Sequence, residues 1–163
     1  RRQFDAQTPK VTLTRPTSPT RVKNEMTKIN SAGHLHDALT GQHVTFLKTG
    51  ADTGGELLQM EVRLDHRGWV PLHAHARQDE TVEVLAGQLT VRVGGTERTL
   101  EVGDTVAVPR RKLHVVRNSG EGETRFLLEV RPARRMESFM RGLFGVMKLF
   151  GPVAKLRARR QNT

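Results

Sequence analysis

The sequence predicts an all-β domain, an antiparallel sandwich or barrel, followed by one C-terminal amphipathic helix. Three observations lead there. Short apolar runs alternate with polar residues at a period of two, and glycine-rich turns bound them at even spacing. No stretch between those runs repeats at the helical period. After Arg131-Pro132 the period lengthens to about 3.6 residues, the mark of a helix with one apolar face.

Taken in order, residues 1–38 read as a flexible basic arm. Pro9, Pro16 and Pro19 lie there among threonines and basic residues with little apolar periodicity, so the arm is either disordered or laid along a partner subunit. The β-domain is expected over 39–132, with strands at 43–48, 56–64, 81–85, 89–93, 105–108, 114–116 and 124–130. Ala86-Gly87, Gly94-Gly95 and Asn118-Ser119-Gly120 mark turns between them. If Glu80 points inward, Val82, Val84 and Ala86 share its face while Thr81 and Glu83 face out. Trp69 and Phe46 read as core. Residues 133–163 are expected to hold the helix and a basic tail. Met136, Phe139, Met140, Leu143, Phe144, Met147 and Phe150 recur at three- and four-residue steps, from about Ala133 to Gly151-Pro152. Gly142 and Gly145 weaken it as a free helix, so its apolar face is expected to pack on the barrel or across a dimer, where it could also cap the barrel mouth. Lys155-Leu-Arg-Ala-Arg-Arg160 offers a membrane-surface helix as the alternative.

The chain has 163 residues, no cysteine, no tyrosine and a net charge of +10. That length suits one small domain with tails. Without cysteine there are no disulfides, zinc–thiolate sites or thiol nucleophiles, and a reducing, cytoplasmic setting is expected. No apolar run approaches the roughly 18 residues of a membrane span. The charge is uneven. Residues 1–30 carry seven Lys/Arg against two Asp/Glu, residues 131–163 nine against one, and residues 31–130 eleven against fourteen. The basicity therefore lies in the ends, and it reads as solvation of the tails. No motif for specific nucleic-acid binding is present.

The chemistry concentrates in two segments. The first runs from Gly68 through His73-Ala74-His75 to Glu80 and Gly87. The second runs from Gly103 through Pro109 and His114 to Asn118. Residues at i and i+2 of a strand point to one face, so His73 and His75 can share a target. Three imidazoles and a carboxylate suit a divalent transition metal. Strand parity favours Glu80 over Glu83, which would need a bulge, and over Asp79, which would need a register shift. His34 and His36 repeat the i, i+2 spacing but read as loop or arm residues, while His43 and His66 read as surface or hydrogen-bonded histidines. Gln78, beside the ligand turn, is a candidate substrate contact.

These two segments resemble the paired motifs of the cupin superfamily, G-x5-HxH-x3,4-E-x6-G and G-x5-P-x-G-x2-H-x3-N. The first is met with one residue fewer before the histidines, and the second with Arg111 where glycine is usual, a position at which arginine resists positive φ. Fifteen residues, 88–102, separate the motifs, as in compact bacterial members, and the resemblance covers roughly 40–132. It implies a jelly-roll β-barrel in which His73, His75, Glu80 and His114 hold a divalent metal: Fe, Mn, Ni, Co, Cu or Zn. It also implies a homodimer. The expected function is a metal-dependent enzyme of oxygenase type acting on a small organic molecule, and the alternative is a non-catalytic binding or sensing module. Lack of tyrosine argues against the sugar-nucleotide epimerase chemistry of similar cupins, and a single motif pair against a two-barrel oxalate decarboxylase.

Overall fold

The structure is a computed structural model that describes residues 33–147. Residues 1–32 of the expected arm, Phe150, the Gly151-Pro152 stop and the basic tail lie outside the described residues. Ten strands follow one another: β1 (His34–Asp37), β2 (Gln42–Lys48), β3 (Leu58–Leu64), β4 (Trp69–His73), β5 (Asp79–Ala86), β6 (Leu89–Val93), β7 (Thr96–Leu100), β8 (Thr105–Val108), β9 (His114–Asn118) and β10 (Thr124–Arg131). A helix, α1, occupies 136–147.

The strands form two antiparallel sheets, ordered β1-β2-β3-β10-β5-β8 and β4-β9-β6-β7. This is a jelly-roll arrangement, the fold class the two motifs imply. The expected barrel is not closed by hydrogen bonds, because among the described residues no strand of one sheet pairs with a strand of the other. The two inner faces instead meet through side chains, as in a sandwich.

Period-two patterning decides which faces meet. In β3, Leu58, Met60, Val62 and Leu64 are buried while Gln59, Glu61 and Arg63 are not. In β5, Glu80, Val82 and Val84 point inward, with Thr81 and Glu83 on the other face, as parity predicts. Phe126 of β10 lies at the centre with no exposed surface, and burying such a side chain stabilises by about 1.5–3 kcal/mol. The β5–β6 turn requires Gly87. Its φ is +77°, and a Cβ there would stand 2.6 Å from Thr124 Oγ1 and 2.9 Å from Glu123 O.

Several expectations change. The sheet begins before residue 39: His34–Asp37 pair with β2 through His36 opposite His43, so the arm does not extend to 38 and His34 and His36 are strand residues. β7 has one buried apolar residue, Leu100, and too little alternation to stand out in sequence. Trp69 is 38% exposed rather than core, whereas Phe46 packs against the core and lies 4.6 Å from the Arg141 guanidinium. The helix begins at 136, three residues later than expected, after a turn in which Met136 N donates to Ala133 O. Met136 and Phe144 are buried in the core and Met140 packs against it, which places α1 on the domain. No helix among the described residues is long and apolar enough to cross a membrane.

Candidate metal centre

The four residues singled out in the two motifs come from three strands and one loop. His73 ends β4, His75 lies two residues beyond it, Glu80 is the second residue of β5, and His114 opens β9. A bulge brings the first of these into place. Val70 pairs with Val116 but His73 pairs with His114, so three steps on β4 match two on β9. Pro71, which cannot donate to the ladder, sits within the irregular stretch. Because His75 lies past the strand end, simple strand alternation does not aim it. Its backbone does: Arg111 N donates to His75 O at 2.7 Å.

That bond answers the departure at Arg111. Arg111 adopts φ +64°, the left-handed conformation that glycine would supply, so the turn of the second motif survives with an arginine in it. The neighbouring Arg110 holds the other carboxylate of this turn. Its backbone N and guanidinium engage Asp79 at 2.9 Å each on the exposed side, while Glu80 faces in. Glu83 lies on the opposite face of β5 from Glu80.

One candidate ligand atom from each of His73, His75, Glu80 and His114 lies within 4.8 Å of every other. His75 Nε2 is 2.9 Å from Glu80 Oε2, and His114 Nε2 is 3.5 Å from Glu80 Oε1. The ring of His73 stands 4.1 Å from that of His114 and 4.8 Å from that of His75. Two backbone carbonyls orient the imidazoles: His73 Nδ1 lies 2.7 Å from Pro71 O and His114 Nδ1 3.0 Å from Lys112 O. A nitrogen next to a carbonyl must carry the proton, which leaves Nε2 as the lone pair facing the cluster.

Electrostatics follow from burial. Desolvation would raise the Glu80 carboxyl, but His114 and His75 beside it outweigh burial and bring it down to about 2. Desolvation would likewise lower His114, yet the Glu80 carboxylate and the Lys112 carbonyl raise it. His73 is lowered, first by burial and then by the neighbouring His114. The decisive atom is His114 Nε2, which is buried and makes no hydrogen bond. An orphaned imidazole nitrogen aimed at a buried carboxylate and two other imidazoles fits a divalent cation, which would satisfy the lone pair directly.

The cluster opens on a cavity of about 180 Å³. His73, His75 and Glu80 line one end, while Val44, Val62, Phe126 and Val130 line the inner faces of the strands. Met136, Met140, Phe144 and Met147 of α1 line it as well, so the apolar face of the helix borders the cavity. Gln78, in the loop between His75 and β5, is not among the described residues that line the cavity. Gln42 is, and sequence reasoning missed it. Its Nε2 donates to Thr40 Oγ1 at 2.8 Å, and Thr40 in turn donates to Asp37. The signal was a polar residue sharing the inward parity of Val44.

The family model described as cupin domain matches residues 60–130. That segment of the chain is a cupin domain. Two solved cupin-fold structures are each 23% identical with a TM-score of 0.56: KdgF from a Halomonas species, over 65% of this chain and 92% of that one, and an RmlC-like cupin from Shewanella frigidimarina, over 68% and 93%. At that identity they speak for the fold. A recombinant oxalate oxidase in complex with glycolate is 26% identical with a TM-score of 0.52, over 58% of this chain and 53% of that one. A curated relative, endoribonuclease YbeY of Myxococcus xanthus, is 31% identical over 97 residues, so the chain spans only 33% of that protein's length.

Proposed function

We propose that this cupin is a metal-dependent enzyme, of oxygenase type, acting on a small and largely apolar organic molecule. The observation that carries the reading is the buried, unpartnered Nε2 of His114 within a three-histidine, one-glutamate cluster at the end of an apolar cavity. His73, His75, Glu80 and His114 are the proposed ligands. A divalent Fe, Mn, Ni, Co, Cu or Zn ion held there would supply Lewis-acid polarisation of substrate oxygens and, for the redox-active ions, dioxygen chemistry.

The residues of the chain supply the rest. Valines, methionines and phenylalanines exclude water and take up the apolar part of the substrate, which strengthens electrostatic interactions at the ligand end. Gln42 offers a hydrogen-bond acceptor to a substrate hydroxyl. A cavity of about 180 Å³ is close in size to one of ~150 Å³ that binds benzene, which points to a molecule of about one ring. The described lining holds no lysine or arginine. That argues against phosphorylated substrates and against carrying over the RNA cleavage named for the Myxococcus relative, whose length the chain covers only in part. The oxalate oxidase likeness supports oxidative chemistry, while the apolar lining favours a substrate bulkier and less charged than oxalate. Gln78 remains the proposed contact at the loop edge. A cytoplasmic homodimer is part of the same reading, supported by the absence of cysteine and by exposed Phe139 and Leu143 on α1.

A second reading, a non-catalytic ligand-binding or sensing module, is supported by one feature: apart from the four proposed ligands, the described cavity lining offers no acid or base. One experiment separates the two. Purified protein should carry about one equivalent of metal and consume oxygen with a substrate drawn from one-ring diols and diketones, and His114→Ala should lose both. Protein that binds such compounds without turnover would favour sensing, and protein without stoichiometric metal would sink the enzyme reading.

A further inference from the structure

A second group of histidines gathers on the other side of the six-stranded sheet. His36 of β1 and His43 of β2 are cross-strand partners, and their rings stack at 4.2 Å with planes 19° apart. Asp65, just past the end of β3, brings its carboxylate to 3.2 Å from His43 Nε2. One ligand atom from each of these three residues lies within 4.8 Å of the others, and the His34 ring stands 5.9 Å from that of His43. The inward neighbours Leu35, Asp37, Gln42 and Val44 are buried, so the group occupies the outer face and shares nothing with the cavity.

The backbone holds Asp65 in position. Its N donates to Gly41 O at 2.9 Å, and its O accepts from Gly68 N at 2.8 Å and from Asn118 Nδ2 at 2.9 Å. Gly41 leaves the carboxylate room, since a Cβ at that position would meet Asp65 Cβ at 3.2 Å and Oδ2 at 3.5 Å. The nearby cation, Arg63, is itself paired with Glu123 at 2.8 Å. Two imidazoles and one carboxylate are a tridentate set suited to borderline divalent ions, with the remaining positions open to water or His34.

We propose that His36, His43 and Asp65 form a second divalent-cation site, for an ion of the Zn²⁺, Co²⁺, Ni²⁺ or Cu²⁺ class, outside the cavity and independent of it. Binding there joins β1, a four-residue edge strand, to the end of β3, so the ion acts as a clip on the sheet edge. It binds more weakly than an ion in the inner cluster because the outer ligands are more exposed and one position or more belongs to solvent.

Calorimetric titration of the full chain with Zn²⁺ tests this. Wild type should show two classes of site. His36→Ala and His43→Ala should each weaken the lower-affinity class more than about 10-fold while leaving the tighter class intact, which also reports that the fold is retained. Glu80→Gln should instead weaken the tighter class and spare the weaker. A single class in wild type that His36→Ala and His43→Ala leave unchanged would overturn the proposal, as would two classes that both survive the double variant.

Discussion

His34-Leu35-His36 and His73-Ala74-His75 have the same spacing in sequence and land in opposite environments. The second pair sits at an irregular strand end, with a carbonyl on the Nδ1 of His73, a buried glutamate beside His75 and an apolar cavity in front. The first lies on a regular edge strand, where alternation sends both histidines outward and the carboxylate within reach among the described residues is a half-exposed aspartate. Identical spacing therefore says that two imidazoles can cooperate, but not on what. Burial decides that. Inside, desolvation and mutual charge make the group expensive to leave without a counter-ion, whereas outside water substitutes for any missing partner.

Asn118 connects the two regions, and its loss has the largest expected effect. It is buried at the end of β9, four residues beyond His114, and donates to Leu64 O, Asp65 O and Gly122 O while accepting from Gly120 N and Thr124 Oγ1. Asn118→Ala leaves several of those groups unpaired and should destabilise by about 2–3 kcal/mol, read by chemical denaturation. If the two clusters share this support, Zn²⁺ affinity falls at both; a loss confined to the inner one would show that the outer cluster stands on β1 and β2 alone.

A smaller, pH-limited effect separates the clusters by titration. In metal-free protein Glu80 lies below its ordinary 4.5, so its stabilisation is full above about 4.5 and is lost as pH falls toward about 2. His114 is raised above 6.5, so its contribution is full below that value and is lost as pH rises through the elevated one. Metal-free stability should thus carry an acid and an alkaline limb that Glu80→Gln abolishes together and His36→Ala leaves in place, measured by denaturation across pH.

The smallest effect is a gain. Arg111→Gly removes a left-handed strain of roughly 1–2 kcal/mol, part of which the greater freedom of glycine in the unfolded chain offsets. Thermal melting should show a net stabilisation of up to about 1 kcal/mol. Metal affinity should change little if the backbone bond from residue 111 to His75 is kept, and a loss of inner-site affinity would mean that the arginine side chain matters there.

Much of the centre was legible because its causes are local. Alternation along Glu80, Val82 and Val84 selects the inward carboxylate, since a strand's period of two holds whatever it packs against, and two ordered motifs name the histidines. The strands at 89–93 and 105–108 were legible for the same reason. An all-β domain with cupin motifs, a helix with an apolar face, and His73, His75, Glu80 and His114 as one candidate set can all be read along the chain. The remaining features arise only on folding. The bulge at Pro71 that sets His73 opposite His114, the Arg110–Asp79 contact, α1 against the cavity that Gln42 also lines, and the meeting of His36, His43 and Asp65 all join residues distant in sequence. Such contacts depend on how sheets and loops come together in space, which no single stretch of chain encodes.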